Sequence, residues 1–200
     1  MTTIAARPRR GERTLGLLDP ATYRRSLHLL LDLPLGIVAG TVAITLLPLS
    51  AGLLITLVGV PLVMATLLAA RLFGRLERAR ARALLDVDLP QPAAPYGWRG
   101  WLADAASWRA LGYAVLLFPV GLVTGELTLI GWSAALAAIA FPAYAWTLAD
   151  PVLHLGGIAF GGAPAMVASV VLGLLLLAAM PALTRALAAC DAALIRTLLR

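Results

Sequence analysis

A histidine and an aspartate near the start of the first apolar segment are spaced so that they could act together. His28 precedes Asp32 by four residues, which places both side chains on one face if the segment is helical. Such a pair could be a pH-sensitive switch, because histidine titrates near neutral pH. It could equally be a local ion pair near the cytoplasmic headgroups, joined by Arg24 or Arg109.

A second pair further along the chain has the same spacing. Asp150 precedes His154 by four residues and lies close to Trp146. These residues could form a metal, proton or ligand site, but two ligands are too few for a closed zinc site. Alternatively, Asp150-Pro151 simply starts a helix. We therefore assign no metal site to the chain.

Glu126 lies inside a long apolar segment, where an ionisable side chain is costly to bury. At this position it would lie in the outer half of the third membrane helix. It could bind a cation, carry a proton or recognise a cationic ligand. The alternative is a protonated or interface-exposed carboxyl group near the membrane edge.

The sequence contains none of the common catalytic motifs. It has no Gly-rich phosphate loop, no His-Glu-x-x-His and no Gly-x-Ser-x-Gly. Its one cysteine, Cys190, excludes a disulfide within the chain. We predict that the protein is not an enzyme and has no cofactor.

The composition predicts membrane-spanning helices that would position these residues. The hydrophobic fraction is 61%, the charged fraction only 13% and the mean hydropathy +0.91. A soluble domain has about a quarter charged residues, so lipid must solvate part of this apolar surface. A helix needs about 20 residues to span the hydrocarbon layer of a membrane. Four apolar segments are long enough: 27–49, 51–70, 110–149 and 152–183.

The 16 basic residues are all arginine, and the net charge is +6. The arginines cluster beside the apolar segments. Attraction to anionic lipid headgroups and the positive-inside rule explain this placement better than nucleic-acid binding, so no nucleic-acid partner is predicted.

The chain repeats itself. Residues 23–40 match residues 108–125 at an offset of 85, with identities that include one arginine, one proline and two glycines. Beyond them, Glu77 matches Asp191 at an offset of 114. We predict repeat one at 23–86, a linker at 87–107 and repeat two at 108–200, with an insertion at 132–163.

The repeat decides between four and five crossings. Hydropathy alone allows 132–148 as a fifth helix, whereas two repeats give four and place both termini in the cytoplasm, with the arginines inside. The predicted fold is an all-α integral membrane protein of the bacterial cytoplasmic membrane, with four transmembrane helices as two parallel helical hairpins. The expected helices are at about 25–47, 52–73, 109–131 and 164–185.

The matched prolines and glycines predict helix packing. Small residues four apart let membrane helices approach closely, and a proline can kink a helix and act as a hinge. The residues concerned are Pro34, Gly36, Gly40, Pro119, Gly121 and Gly125.

Three further segments lie outside the predicted membrane helices. Residues 1–20 are predicted to be a disordered cytoplasmic terminus that ends in an Asp19-Pro20 helix start. The insertion 132–163 is too apolar for a free loop and is expected in the outer interface or dipping back into the bilayer. The cytoplasmic amphipathic helices are expected to contact anionic lipid or a partner through Arg75, Arg78, Arg82, Trp98 and Trp101.

Several motifs resemble one family: DLPLGIVAG, LVGVPL, RLERARARALL, WRALGYAVLLFPVGL and the closing RALAA. From about residue 20 to residue 200, the chain resembles the Putative sensor domain of actinobacterial sensor histidine kinases and of free-standing membrane proteins. The resemblance implies a membrane-embedded input module of unknown signal and brings no catalytic residues. No phosphoacceptor-His helix or ATP-binding domain follows the closing helix, so the output is expected through another protein, unless the chain is a fragment.

Two functions follow from this sequence. The first is a sensory input or accessory module that signals by helix repacking, either to a cytoplasmic or membrane signalling partner or within a homo-oligomer. The second is a small transporter or channel subunit that uses Glu126 in the membrane.

Overall fold

The computed structural model describes residues 16–17, 19–56, 58–86, 90–93, 95–147, 152–155 and 158–199. Four helices in this part of the chain are long and apolar enough to cross a membrane, which confirms the predicted multi-pass helical fold. They are α1 (Pro20–Gly52), α2 (Gly59–Leu85), α4 (Ala105–Tyr144) and α5 (Gly162–Leu198). The short helix α3 (Gly97–Ala103) precedes α4, and 3-10 turns follow α1 at Leu53–Thr56 and α4 at Ala145–Thr147.

The helix starts follow from local side-chain chemistry. Asp19 caps α1 by accepting a hydrogen bond from the Ala21 backbone N–H, and Pro20 occupies the first turn, as the sequence predicts. Asp104 caps α4 in the same way through the backbone N–H of Ser107. Most of the segment predicted to be disordered, residues 1–15 and 18, lies outside the described residues.

The third membrane helix is longer than predicted. It continues to Tyr144, so 13 residues assigned to the insertion belong to α4, and 132–148 is not a separate fifth helix. Alanine has the highest helix propensity, and the alanine-rich stretch after Trp132 has no residue that would end a helix before Pro142.

A β-hairpin follows α4 in place of the predicted helix start at Asp150-Pro151. Strands β1 (Val152–Leu155) and β2 (Ile158–Gly161) are antiparallel, with His154 opposite Ala159. Side chains alternate across a strand, so the four-residue spacing to Asp150 no longer defines a common helix face. Asp150 itself lies outside the described residues.

The two helical hairpins, α1/α2 and α4/α5, are antiparallel to each other, so the predicted parallel arrangement is wrong. Tyr23 at the start of α1 stacks on Trp132 late in α4, with ring centroids 5.9 Å apart. Further along α1, Gly36 lies against the carbonyl of Leu117, which is early in α4. The helices α1 and α4 therefore run in opposite directions. The tip of each hairpin is the turn that joins its two helices, and the two tips point to opposite ends of the bundle.

This arrangement has a physical reason. Most charged residues lie toward the open ends of the hairpins, and the tip of the first hairpin, residues 49–60, has no charged residue. Antiparallel packing makes the open ends overlap, so that polar groups of one hairpin meet those of the other, and α2 and α4 run parallel with Arg71 bonded to Asp104 at 3.0 Å. The orientation of the chain in a membrane, including the cytoplasmic position of both termini, stays a prediction.

Candidate functional site

Five ionisable side chains from three helices meet in the overlap of the two hairpins. His28 and Asp32 come from α1, Glu77 and Arg80 from α2, and Asp191 from α5. None is more than 9% exposed, and His28 and Asp32 are fully buried. We call this group the buried charge cluster. Ionisable residues in membrane helices that face the protein interior commonly mark functional sites.

Arg80 is the centre of the hydrogen bonds within the first hairpin. Its Nη1 donates to Glu77 Oε2 at 2.6 Å, one helical turn away, and its Nη2 donates to Asp32 Oδ1 at 2.7 Å. The same Nη2 donates to the backbone carbonyl of His28 at 2.8 Å. One guanidinium group therefore ties α2 to α1 through charge-assisted bonds.

His28 joins the two hairpins. Its Nε2 lies 2.7 Å from Asp191 Oδ2, within hydrogen-bond distance. The same nitrogen lies 3.7 Å from Glu77 Oε1 and 3.8 Å from Asp32 Oδ1. Carboxylate oxygens from three helices thus converge on a single imidazole nitrogen.

The charges of the cluster do not balance. Three carboxylates face one guanidinium group, which leaves an excess of two negative charges when all three are ionised and His28 is neutral. Several polar atoms also lack a hydrogen-bond partner within the described part of the chain: His28 Nδ1, Asp32 Oδ2, Glu77 Oε1 and Asp191 Oδ1. Buried charge without a partner is costly, so the site must gain positive charge from protons or from a bound cation.

Tyr113 on α4 completes the surroundings of the cluster. Its side chain is 1% exposed, its hydroxyl has no hydrogen-bond partner among the described residues, and it interacts electrostatically with Glu77 and Asp191. Tyr113 lies 85 residues after His28, and Asp191 lies 114 residues after Glu77. Both pairs are related by the offsets of the predicted repeat, which itself stays a prediction.

The structure brings His28 and Asp32 together, but neither arginine named from the sequence joins them. Arg80 does so instead. Arg24 forms a salt bridge of 3.1 Å with Asp86 at the end of α2, and Arg109 is exposed on α4. Both side chains of the pair lie inside the protein, where Arg80 on α2 and Asp191 on α5 contact them.

The other sensing candidates lie apart from the cluster. Glu126 is exposed on α4, so its position gives no support to a polar path between the helices. Trp146 is 80% exposed, and its indole N–H donates to the carbonyl of Ala143 at 2.7 Å. His154 lies in β1.

The predicted packing glycines lie where α1 and α4 cross. A Cβ added at Gly36 would lie 2.8 Å from the Leu117 carbonyl oxygen, and one added at Gly121 would lie 2.7 Å from that of Asp32. Gly40 meets Phe118 and Gly125 meets Leu33 in the same way. The contact of Gly36 with Leu117 therefore corresponds to that of Gly121 with Asp32, because both residues of each pair are related by the offset of 85. Pro34 and Pro119 lie inside continuous helices next to this crossing.

The three arginines predicted to form one contact face on α2 differ in their exposure. Arg75 and Arg82 are exposed, but Arg78 is buried and donates to the backbone carbonyl of Leu199 at 3.0 Å. Arg78 is therefore not part of an exposed lipid-binding face. It instead binds the last turn of α5.

The two tryptophans predicted to contact lipid differ in their surroundings. Trp98 is 53% exposed, with the guanidinium group of Arg99 5.0 Å from its ring. Trp101 is partly buried, and the Arg71 guanidinium group lies 5.4 Å from its ring. Both contacts are cation–π in geometry.

Asp104, between α3 and α4, has a pKa that is lowered in the folded protein. Burial acts to raise the pKa of Asp104, but hydrogen bonds from the hydroxyl and backbone N–H of Ser107, with the charge of Arg71, hold it below its usual range. The carboxylate is therefore stably ionised where α2, α3 and α4 meet.

Sequence reasoning missed Glu77, Arg80, Asp191 and Tyr113. The sequence predicts Glu77 and Asp191 in arginine-bearing cytoplasmic helices beyond the membrane segments. A signal did exist, because these two acids match each other at the offset of 114.

A sequence model of the family described as "Putative sensor" matches residues 14–199, nearly the whole chain. The chain belongs to the Putative sensor family. The resemblance seen in its motifs is thereby confirmed, while the actinobacterial assignment stays a prediction. No curated protein and no solved structure matches the chain. Family membership and the four membrane helices together indicate a sensory role for a multi-pass membrane protein.

Proposed function

We propose that this sensor-family protein is a membrane-embedded input module whose helix packing is set by the buried charge cluster. The observation that carries the proposal is the convergence of His28, Glu77 and Asp191 from three helices and both hairpins. Outside the cluster, the hairpins meet at the glycine crossing of α1 and α4 and through the bonds of Arg71 to Asp104 and of Arg78 to the Leu199 carbonyl. A change of charge at the cluster therefore acts directly on the contact between the hairpins.

The mechanism is a population shift between two packings. With its excess negative charge neutralised, the cluster holds the hairpins together. Without neutralisation, the facing carboxylates repel and favour a looser packing. A signal shifts this equilibrium only if its free energy of binding, or of protonating the cluster, differs between the two packings.

The end of α5 offers a route to a partner. Asp191 lies two turns before the end of α5, and beyond it Ile195 and Leu199 are buried against the rest of the bundle. Arg78 holds the Leu199 carbonyl. Movement at Asp191 would therefore release this last segment, and we propose that a cytoplasmic or membrane signalling partner, or a second copy of the chain, recognises it without any catalysis by this protein.

Lipid contact forms the second part of the proposal. Arg75 and Trp98 are exposed near the open end of the second hairpin, where a guanidinium group and an indole suit anionic headgroups and the membrane interface. Anionic lipid would hold this region at the membrane surface while the cluster changes state.

Distance measurement between spin labels tests the repacking. Leu76→Cys next to Glu77 and the native Cys190 next to Asp191 are both exposed, so they report the separation of α2 and α5 in lipid nanodiscs. Arg80→Gln removes the only cation of the cluster, and we expect the distance distribution to shift by up to one helical turn, about 5 Å.

Arg109→Gln is the matched control, because Arg109 is an exposed arginine on α4. Its distances should equal those of the parent protein. An Arg80→Gln protein that stays helical and monodisperse but keeps the parent distances would rule out the cluster as the packing switch.

A further inference from the structure

The buried charge cluster has the donor set of a metal site. A ligand atom from each of His28, Asp32, Glu77 and Asp191 lies within 4.8 Å of the others, and all four side chains are buried. We propose that the cluster binds one divalent first-row transition-metal cation, such as Mn²⁺ or Zn²⁺, through these four residues. This inference deepens the proposed function and rests on it, since it names the ligand of the same site.

Two of the distances from His28 Nε2 to the carboxylates fit a metal ion better than they fit direct hydrogen bonds. Metal–nitrogen and metal–oxygen bonds of about 2.0–2.2 Å place neighbouring ligands of a tetrahedral ion roughly 3.4 Å apart. His28 Nε2 lies 3.7 Å from the unpartnered Glu77 Oε1, too far for a hydrogen bond but close to that spacing. It lies 3.8 Å from Asp32 Oδ1, the oxygen that Arg80 binds, while Oδ2 of the same carboxylate has no partner among the described residues. Asp191 Oδ2, at 2.7 Å from His28 Nε2, would have to move away by less than one ångström.

The unpartnered atoms provide an independent indication. Asp32 and Glu77 each give one oxygen to Arg80 and keep the other, Oδ2 and Oε1, without a hydrogen bond among the described residues. Asp191 Oδ1 is likewise free. Metal-binding carboxylates are commonly held in this way, with an outer hydrogen-bond donor fixing the carboxylate while an oxygen faces the metal. Arg80 would be a positioning residue of this kind.

Charge supports a divalent ion. Three carboxylates and one guanidinium group leave two negative charges in the interior, and a divalent cation neutralises both. His28 stays neutral on binding: its proton moves from Nε2 to Nδ1, which has no hydrogen-bond partner among the described residues, and Nε2 donates its lone pair to the metal.

The donors also select the class of metal. An imidazole nitrogen beside carboxylate oxygens suits Mn²⁺, Fe²⁺ or Zn²⁺, whereas Mg²⁺ and Ca²⁺ prefer oxygen ligands alone. The site draws ligands from three helices, so an ion bound there would clamp α5 of the second hairpin onto α1 and α2 of the first. Metal availability at the membrane would then be the signal that sets the packing.

Titration of the full chain with Mn²⁺ tests the site. The protein is first treated with a chelator in detergent micelles, and free Mn²⁺ is then measured by electron paramagnetic resonance. We expect one Mn²⁺ bound per chain. Zn²⁺ should displace it, whereas an equal concentration of Mg²⁺ should not. Asp191→Asn and Glu77→Gln should each weaken binding by about tenfold or more. Glu126→Gln and Asp86→Asn change exposed acids and should leave the affinity unchanged.

A second measurement needs no variant in the cluster, so it does not depend on the folding of a mutant. The chain has two histidines, His28 and His154, and ¹⁵N-histidine labelling gives an assignable spectrum with His154→Ala as the reference. Zn²⁺ should shift the ring nitrogens of His28 and leave those of His154 in place. A shift confined to His154, or no stoichiometric binding of either ion, overturns the inference.

The two proposals fail separately. If no metal binds but Arg80→Gln still separates the spin labels, the metal inference is wrong, protons neutralise the cluster, and the packing switch stands. If metal binds at the cluster while the label distance stays fixed with and without metal and in Arg80→Gln, the ion is structural. The proposed sensing function is then wrong, and with it the signalling part of this inference.

Discussion

His28 Nε2 and Asp191 Oδ2 lie 2.7 Å apart although 163 residues separate them in the chain. The contact links the first helix to the last and joins the two hairpins. It lies in the interior, where a polar contact is stronger than in water and its loss is more costly. The remaining interactions of the cluster are arranged around this link.

The first prediction is that His28 and Asp191 are energetically coupled. We expect the free energies of unfolding of His28→Ala, Asp191→Ala and the double variant to deviate from additivity by about 0.5–3 kcal/mol. Unfolding by a denaturing detergent in mixed micelles, followed by tryptophan fluorescence, measures this in metal-free buffer. A control cycle with His28→Ala and Glu126→Ala should be additive within about 0.5 kcal/mol, and equal coupling in both cycles would contradict the contact.

Much of the fold could be predicted from the sequence, because it depends on local patterns. Apolar segments of sufficient length indicated four membrane helices, and Asp19-Pro20 marked the start of α1. The glycines at 36 and 121 indicated close helix approach, and the structure places them at the crossing of α1 and α4. Each of these features needs only neighbouring residues to be recognised.

The site could be predicted only in part, because it depends on which helix ends overlap. His28 and Asp32 were recognisable from their spacing on one helix. Glu77 and Asp191 lie beyond the apolar segments and resembled solvated residues, and burial follows only when the antiparallel packing covers them. Close glycine contacts are compatible with parallel and with antiparallel helices, so the relative direction of α1 and α4 could not be predicted from them.

The second prediction concerns the glycines at the helix crossing. Alanine at Gly36 or Gly121 would press its Cβ against a backbone carbonyl at 2.8 or 2.7 Å, and backbone cannot move aside as a side chain can. We expect each variant to lower the free energy of unfolding by about 1–3 kcal/mol. Gly112→Ala is the control on α4, because nothing lies within 4 Å of its added Cβ, and it should be neutral or stabilising by up to about 1 kcal/mol. Equal effects at Gly112 and Gly121 would show that α1 and α4 do not approach closely.

The third prediction concerns Asp104 and acid. Asp104→Ala removes the cap of α4 and should cost about 1 kcal/mol at neutral pH. Because the pKa of Asp104 is lowered in the folded protein, its contribution is present above the unfolded-state pKa and is lost as the pH falls through the folded-state value. The difference in free energy of unfolding between parent and Asp104→Ala should therefore shrink in acid. A difference that grows in acid would contradict the lowered pKa.

The fourth prediction tests the antiparallel hairpins by disulfide formation in a Cys190→Ser background. A Cβ at Gly125 would lie 2.8 Å from the Leu33 Cβ, so the pair Leu33→Cys and Gly125→Cys needs only a small adjustment to reach disulfide geometry. Phe118 is the repeat counterpart of Leu33, and the two would be neighbours if the hairpins were parallel. In the antiparallel structure Phe118 lies seven residues before Gly125, about 10 Å along α4.

Oxidation in native membranes should therefore cross-link 33 with 125 quickly and leave the control pair, Leu33→Cys with Phe118→Cys, reduced. A shift in gel mobility that is reversed by reducing agent measures both pairs in the same assay. If 33 links to 118 in preference to 125, the hairpins are parallel in the membrane. Asp191 would then lie away from His28, and the buried charge cluster could not form within one chain. A 33–125 cross-link within one chain would agree with the antiparallel packing that brings Asp191 to His28 in a single molecule, as the metal inference requires.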